Sequence, residues 1–155
     1  MAQQAVPAAT AEVTISAAPD AVYQLITDLS TLAELASETT AMSWQRGDSA
    51  RPGAVFKGSN RNGSRTWTTT CTVTEAAPGK AFAFDVRSLV IPVAHWRYEI
   101  IPADGACRVV ESTWDQRPGW FRKVAGYATG VHDRDAANAE HIRATLARLK
   151  ERAER

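Results

Sequence analysis

From Met42 to Gln116 the chain is divided by turn signals at Gly47-Asp48, Arg51-Pro52-Gly53, Asn62-Gly63, Pro78-Gly79, Pro92 and Asp104-Gly105. Asn62-Gly63 is the strongest of these, because both residues tolerate the positive φ that a tight hairpin demands. The runs between the signals, 42–46, 54–61, 65–75, 81–89, 93–102 and 106–116, read as strands that follow one another as a meander. Glu12-Val13-Thr14-Ile15-Ser16 alternates and adds a seventh strand near the start.

Helical patterns bracket this block. Pro19-Asp20 opens a helix with Val22, Leu25, Ile26 and Leu29 on one face, and Ser30 caps a second, short one carrying Leu32 and Leu35. After Pro118-Gly119, a three-four spacing runs through Val124, Tyr127, Ala128, Val131, Asp135, Asn138, Ile142, Thr145, Leu146 and Leu149. It predicts one long helix, with a kink or break at Gly126 or Gly130, whose apolar stripe has only the sheet to cover. The expected architecture is α+β: a curved, seven-stranded antiparallel sheet, two short helices and a long C-terminal helix enclosing a cavity. A length of 155 residues fits a single domain, expected over 11–152, with 1–10 as a flexible tail. That tail is small and neutral and lacks the pattern of a signal peptide, which gives a cytoplasmic expectation.

Several function classes lose their support. Eighteen basic against seventeen acidic residues leave a net charge of +1, no electrostatic case for nucleic acid or an anionic membrane. A local excess, Arg46, Arg51, Lys57, Arg61 and Arg65 against Asp48 alone, reads as a solvated loop or a basic rim on one hairpin. Cys71 and Cys107 form no metal-binding spacing and read as reduced thiols, and His132 and His141 lie nine apart, so neither a metal nor another cofactor is expected. The sequence contains no G-x-S-x-G, P-loop or G-x-G-x-x-G motif.

Strand alternation assigns the inward face. Phe56, Gly58 and Asn60 share a side, as do Trp67, Thr69, Cys71 and Val73, then Phe82, Phe84 and Val86, then Trp96, Tyr98 and Ile100. His95, Arg97 and Glu99 fall on the opposite side. The last strand stays open between Val109, Glu111 and Thr113 on one side and Val110, Ser112 and Trp114 on the other. Two of the five tryptophans, Trp67 and Trp96, thus face inward; Trp44 and Trp120 lie at element ends, where they are expected over the cavity mouth. Mixed with Asn60, Thr69 and the candidate Glu111, such an interior is not a plain aliphatic core. A buried polar group without a partner costs about 1–3 kcal/mol, so several on one face imply partners, water or a ligand. Wide aromatic walls with a few polar groups describe a small-molecule pocket.

At this point the chain resembles the helix-grip fold of the START and Bet v 1-like (SRPBCC) superfamily, and within it the bacterial polyketide cyclase/dehydrase family. The resemblance rests on Phe56-x-Gly58-x-Asn60-x-x-Gly63, Arg65-x-Trp67, Val73-Thr74-Glu75, Phe82-Ala83-Phe84, His95-Trp96-Arg97-Tyr98, Asn138 and Thr145-Leu146-x-x-Leu149-Lys150. It implies that Trp67, Trp96 and Tyr98 line a cavity for a small hydrophobic or aromatic ligand. The aromatase/cyclases of this family carry an arginine further along the Arg-x-Trp strand, where this chain has Val73.

Aldol cyclisation or dehydration needs a polarised carbonyl, a base for an α-proton and a cavity that folds the substrate. The candidate catalytic residues are Tyr98 as donor and Asp135, or Glu111, as base. The candidate ligand-binding residues are Asn60, Trp67, Thr69, Phe84, Trp96, Tyr98, Glu111 and Asn138. The alternatives are a non-catalytic ligand or lipid carrier or sensor, for which Val73 argues, and an interaction protein with a filled cavity that uses the 46–65 hairpin. No nucleic-acid partner or membrane insertion is expected, and the pattern fits a monomer or a homodimer.

Overall fold

The computed structural model describes residues 6–131 and 133–155; Met1 to Ala5 of the expected tail, and His132, lie outside the described residues. Seven strands, β1 (Ala9–Ile15), β2 (Thr39–Arg46), β3 (Val55–Asn62), β4 (Arg65–Ala77), β5 (Ala81–Ser88), β6 (Ile91–Ala103) and β7 (Ala106–Asp115), form an antiparallel sheet in the order β1-β7-β6-β5-β4-β3-β2. Four helices complete it: α1 (Pro19–Thr27), α2 (Leu29–Leu35), α3 (Gly119–Thr129) and α4 (Arg134–Ala153). This is the helix-grip arrangement. β1 begins at Ala9, whose Cα partner is Thr113, so Ala9 and Thr10 belong to the sheet rather than to the tail.

Tight turns join β3 to β4 and β5 to β6, and register shifts fall between Val73 and Glu75 in β4 and between Val86 and Arg87 in β5. Extra residues of this kind bend a strand and increase its twist, which curves the sheet toward its helices. α1 starts on Pro19, and α2 is capped by Asp28 rather than Ser30: the Asp28 carboxylate accepts from the backbone N–H of Ser30 and Thr31. The long C-terminal helix is two helices. Gly130 closes α3 in the left-handed region at φ 73, where a side chain would also stand 3.1 Å from Arg65 Cδ.

The core fills one end of the curved sheet. Val22 and Ile26 of α1, Leu32 of α2, and Ile142, Leu146 and Leu149 of α4 pack on Ile15, Phe56, Val73, Phe82 and Val109. The C-terminal turns of α4 are tied down by Lys150 Nζ, which donates to Thr14 O at 2.8 Å, and by Arg148 Nη1, which donates to Leu35 O at 2.8 Å. α3 and the first half of α4 stand off the opposite end of the sheet, and the space they leave is the cavity.

A buried acid in an aromatic cavity

A cavity of about 240 Å³ lies between the inward face of the sheet, α3 and the first half of α4. Asn60, Trp67, Thr69, Phe84, Trp96 and Tyr98, the residues that alternation turns inward, line it together with Glu111 of β7 and Asn138 of α4. The open register of β7 is settled. Val109, Glu111 and Thr113 are buried, and Trp114 lies on the outer face with its ring centroid 5.3 Å from that of His95. His95 Nδ1 meets Asp85 Oδ1 there at 2.7 Å.

Asp135 requires correction. It is exposed in the first turn of α4 and does not line the cavity. In the first turn of α4, Arg134, one turn before Asn138, takes the cavity-facing place. The tryptophans at element ends are corrected as well. Trp44 packs edge-on against Phe56, centroids 5.6 Å apart, and Trp120 sits on the outer side of α3.

The chemistry concentrates at Tyr98 and Glu111, direct partners across β6 and β7. Glu111 is 2% exposed, and its carboxyl and the Tyr98 hydroxyl hydrogen-bond each other. Burial pushes the Glu111 carboxyl up to about 8, against a smaller lowering effect of the Tyr98 bond. The Tyr98 hydroxyl is pushed well above its ordinary value by burial and then by the neighbouring carboxyl. At pH 7 the neutral form of Glu111 therefore predominates. Its Oε1 is buried with no hydrogen-bond partner, and so is Thr113 Oγ1 next to it on the same face.

Asn60 and Thr69 are committed to each other. Asn60 Oδ1 accepts from Thr39 Oγ1 at 3.1 Å and its Nδ2 donates to Thr69 Oγ1 at 3.1 Å, so this amide is a strut between strands. Cys71 lines the wall as an inert thiol, pushed up to about 12 chiefly by burial.

Two polar clusters at the cavity escaped sequence reading. Arg134 of α4 donates to Glu38 Oε1, and His141 Nδ1 stands 3.6 Å from the same oxygen, while Glu38 Oε2 is buried without a partner. On the other side Arg117 Nε and Nη2 grip Asp115 at 3.0 and 2.9 Å. Burial raises the Asp115 carboxyl, but its bonds to Arg117 outweigh that and hold it below its ordinary value. Glu38 and Arg134 have no local sequence signature, since 96 residues separate them, whereas Asp115 and Arg117 lie two residues apart at the end of β7 and only the fold brings that pair to the cavity.

A family model described as polyketide cyclase / dehydrase and lipid transport matches residues 7–154. No curated protein matches the chain. Among solved structures, the di-domain ARO/CYC protein StfQ from the steffimycin biosynthetic pathway is 13% identical with a TM-score of 0.71, covering 94% of this chain and 50% of its own. The Polyketide_cyc-like protein Cgl2372 from Corynebacterium glutamicum is 22% identical with a TM-score of 0.60, covering 95% and 91%. DR_A0006 from Deinococcus radiodurans is 16% identical with a TM-score of 0.67, covering 94% and 96%. At these identities the likeness to solved structures shows the fold alone.

Proposed function

The chain belongs to the polyketide cyclase / dehydrase and lipid transport family, and from that premise we propose that it binds a small aromatic or polyketide-like ketone in its cavity and cyclises or dehydrates it. The observation that carries the reading is the Tyr98–Glu111 pair, a hydroxyl and a neutral carboxylic acid with an unpartnered oxygen in a cavity walled by Trp67, Phe84 and Trp96. A carboxylic acid kept neutral by an apolar site can donate to a carbonyl oxygen, and the donated bond is strong there because water is excluded. The aromatic walls hold flat rings and restrict the chain to few closures.

The same pair can move the proton. The ionised minority of Glu111 takes an α-proton from the substrate while Tyr98 donates to the electrophilic carbonyl oxygen. The carbanion carbon attacks that carbonyl, one carbon–carbon bond forms, and the acid just made returns its proton to the new alkoxide. The hydrogen has passed from carbon to oxygen and no further reactant is used. Loss of the new hydroxyl with a second α-hydrogen releases one water and leaves a double bond.

Two measurements test this. Aromatic ketones are expected to quench tryptophan fluorescence at micromolar concentration, with Trp96→Leu removing most of the change. With a poly-β-ketone substrate, Glu111→Gln and Tyr98→Phe are expected to shift the product distribution toward that of a protein-free control. Quenching with unchanged products in both variants would mark a carrier instead, and no quenching by any member of a broad panel would remove the binding function.

A further inference from the structure

α3 crosses the mouth of the cavity. It leaves the sheet after β7 and ends at the β3–β4 turn, where Asn62 Nδ2 donates to Thr129 O at 2.8 Å and Arg65 Nε to Tyr127 O at 3.0 Å. Between β7 and β4 lie three strand spacings, about 14 Å, and the 11 residues of α3 span about 16 Å. The strands are antiparallel, so the β5–β6 turn leaves the sheet at this same end; Gln116 N donates to Val93 O at 2.9 Å beside it.

The two sides of α3 differ. Phe121, Ala125 and Ala128 line the cavity. Trp120, Val124 and Tyr127, one helical row, are 62%, 52% and 78% exposed. At the neighbouring turn Leu89 and Val90 are 84% and 90% exposed. Leu89 also has φ 55, a backbone position that Gly or Asn fills with less strain. Neither the turn nor the core accounts for two aliphatic side chains at this tip. Lys123 is exposed on the same helix, as is Arg122, whose Nε also stands 3.5 Å from Asp115 Oδ2, an acid that Arg117 already pairs with; residues 116–131 contain no acid.

We propose that the outer row of α3 and the Leu89–Val90 tip dock on an anionic lipid bilayer. Tryptophan and tyrosine with flanking Arg and Lys suit the headgroup layer, where rings and aliphatic tips enter the acyl boundary and the cations meet lipid phosphates. A second copy of this chain fits less well, since a two-fold contact through α3 sets Arg122 and Lys123 against the same charges. The net charge of the whole chain makes no such case; its local distribution does. Docking stands on this surface alone, while its use as a route for an apolar ligand into the cavity rests on the proposed binding function.

The test is co-sedimentation and tryptophan emission with vesicles of phosphatidylcholine, alone or mixed with phosphatidylglycerol. The expected result is binding to the mixed vesicles with a blue-shifted emission, weakened by salt. Arg122→Gln with Lys123→Gln is expected to lower affinity by about 30-fold, at about fivefold per charge. Leu89→Asn relieves the turn and keeps the fold, and together with Trp120→Ser it is expected to lower affinity by about tenfold or more. Absence of binding, equal binding by all variants, or a concentration-dependent dimer that Trp120→Ser abolishes would each overturn the proposal. Ketone quenching by the same variants in lipid-free buffer reads the cavity separately, because none of the four residues lines it.

Discussion

Replacing Glu111 by Gln should change how stability depends on pH. The acid titrates at about 8 in the folded protein against 4.5 in its ordinary setting, so between these values the folded state holds a proton that the unfolded chain has released. Stability therefore falls as pH rises through that window, is complete below about 4.5 and levels off above about 8. Each pH unit costs about 1.4 kcal/mol, on the order of 5 kcal/mol over the whole interval, a large part of the stability of a domain this size. Glutamine nearly preserves the volume and can still bond the Tyr98 hydroxyl, but it has no proton to lose. Urea denaturation at a series of pH values from 5 to 9 should give a parent curve that declines by about 1.4 kcal/mol per unit and a Glu111→Gln curve without that component. Subtracting the curves cancels the histidines and surface groups common to both. Parallel curves across the range would refute the reasoning, because a carboxyl with an ordinary titration cannot be the neutral donor assigned here.

Other outcomes follow from the same geometry. Cyclisation, where Glu111 acts as base from its ionised form, should speed up as pH rises and level off above about 8, with Glu111→Gln showing no such rise in a pH–rate profile. Asp28→Ala removes the cap from the first N–H groups of α2 and should cost about 1 kcal/mol in denaturant unfolding. Gly79→Ala places a methyl group against Asp20 Oδ1 at a φ of +72, and should lower the thermal midpoint by a loss of about 1 kcal/mol or more.

Strand parity carried most of the site. Asn60, Trp67, Thr69, Phe84, Trp96 and Tyr98 needed only alternation between recognisable turns to be placed on one face, and the cavity collects all of them. β7 resisted because both of its faces offer a valine, and hydrophobicity favours burying Trp114 over Glu111. Pairing decides otherwise: Glu111 stands opposite Tyr98, and Trp114 stands opposite His95 on the outer face. Asp135 failed for a different reason. Asn138 has two same-face neighbours in the preceding turn, Arg134 at i−4 and Asp135 at i−3; spacing does not choose between them, and the one-residue difference separates the cavity from solvent. The pairing of Glu38 with Arg134, 96 residues apart, depends on where α4 sits, and no spacing within the chain encodes that; Asp115 and Arg117 lie two residues apart, and only the fold shows that this local pair lines the cavity.

The central claim is that a protonated Glu111 meets the carbonyl of a bound ligand inside the cavity. Carbon-13 NMR titration of the Glu111 side-chain carboxyl, with and without an aromatic ketone, tests it most directly. The account predicts a midpoint near 8 in the free protein and a higher one with ligand, since a carbonyl accepting from the acid favours its neutral form. A midpoint near the ordinary 4.5, or one that the bound ketone leaves unmoved, would contradict it.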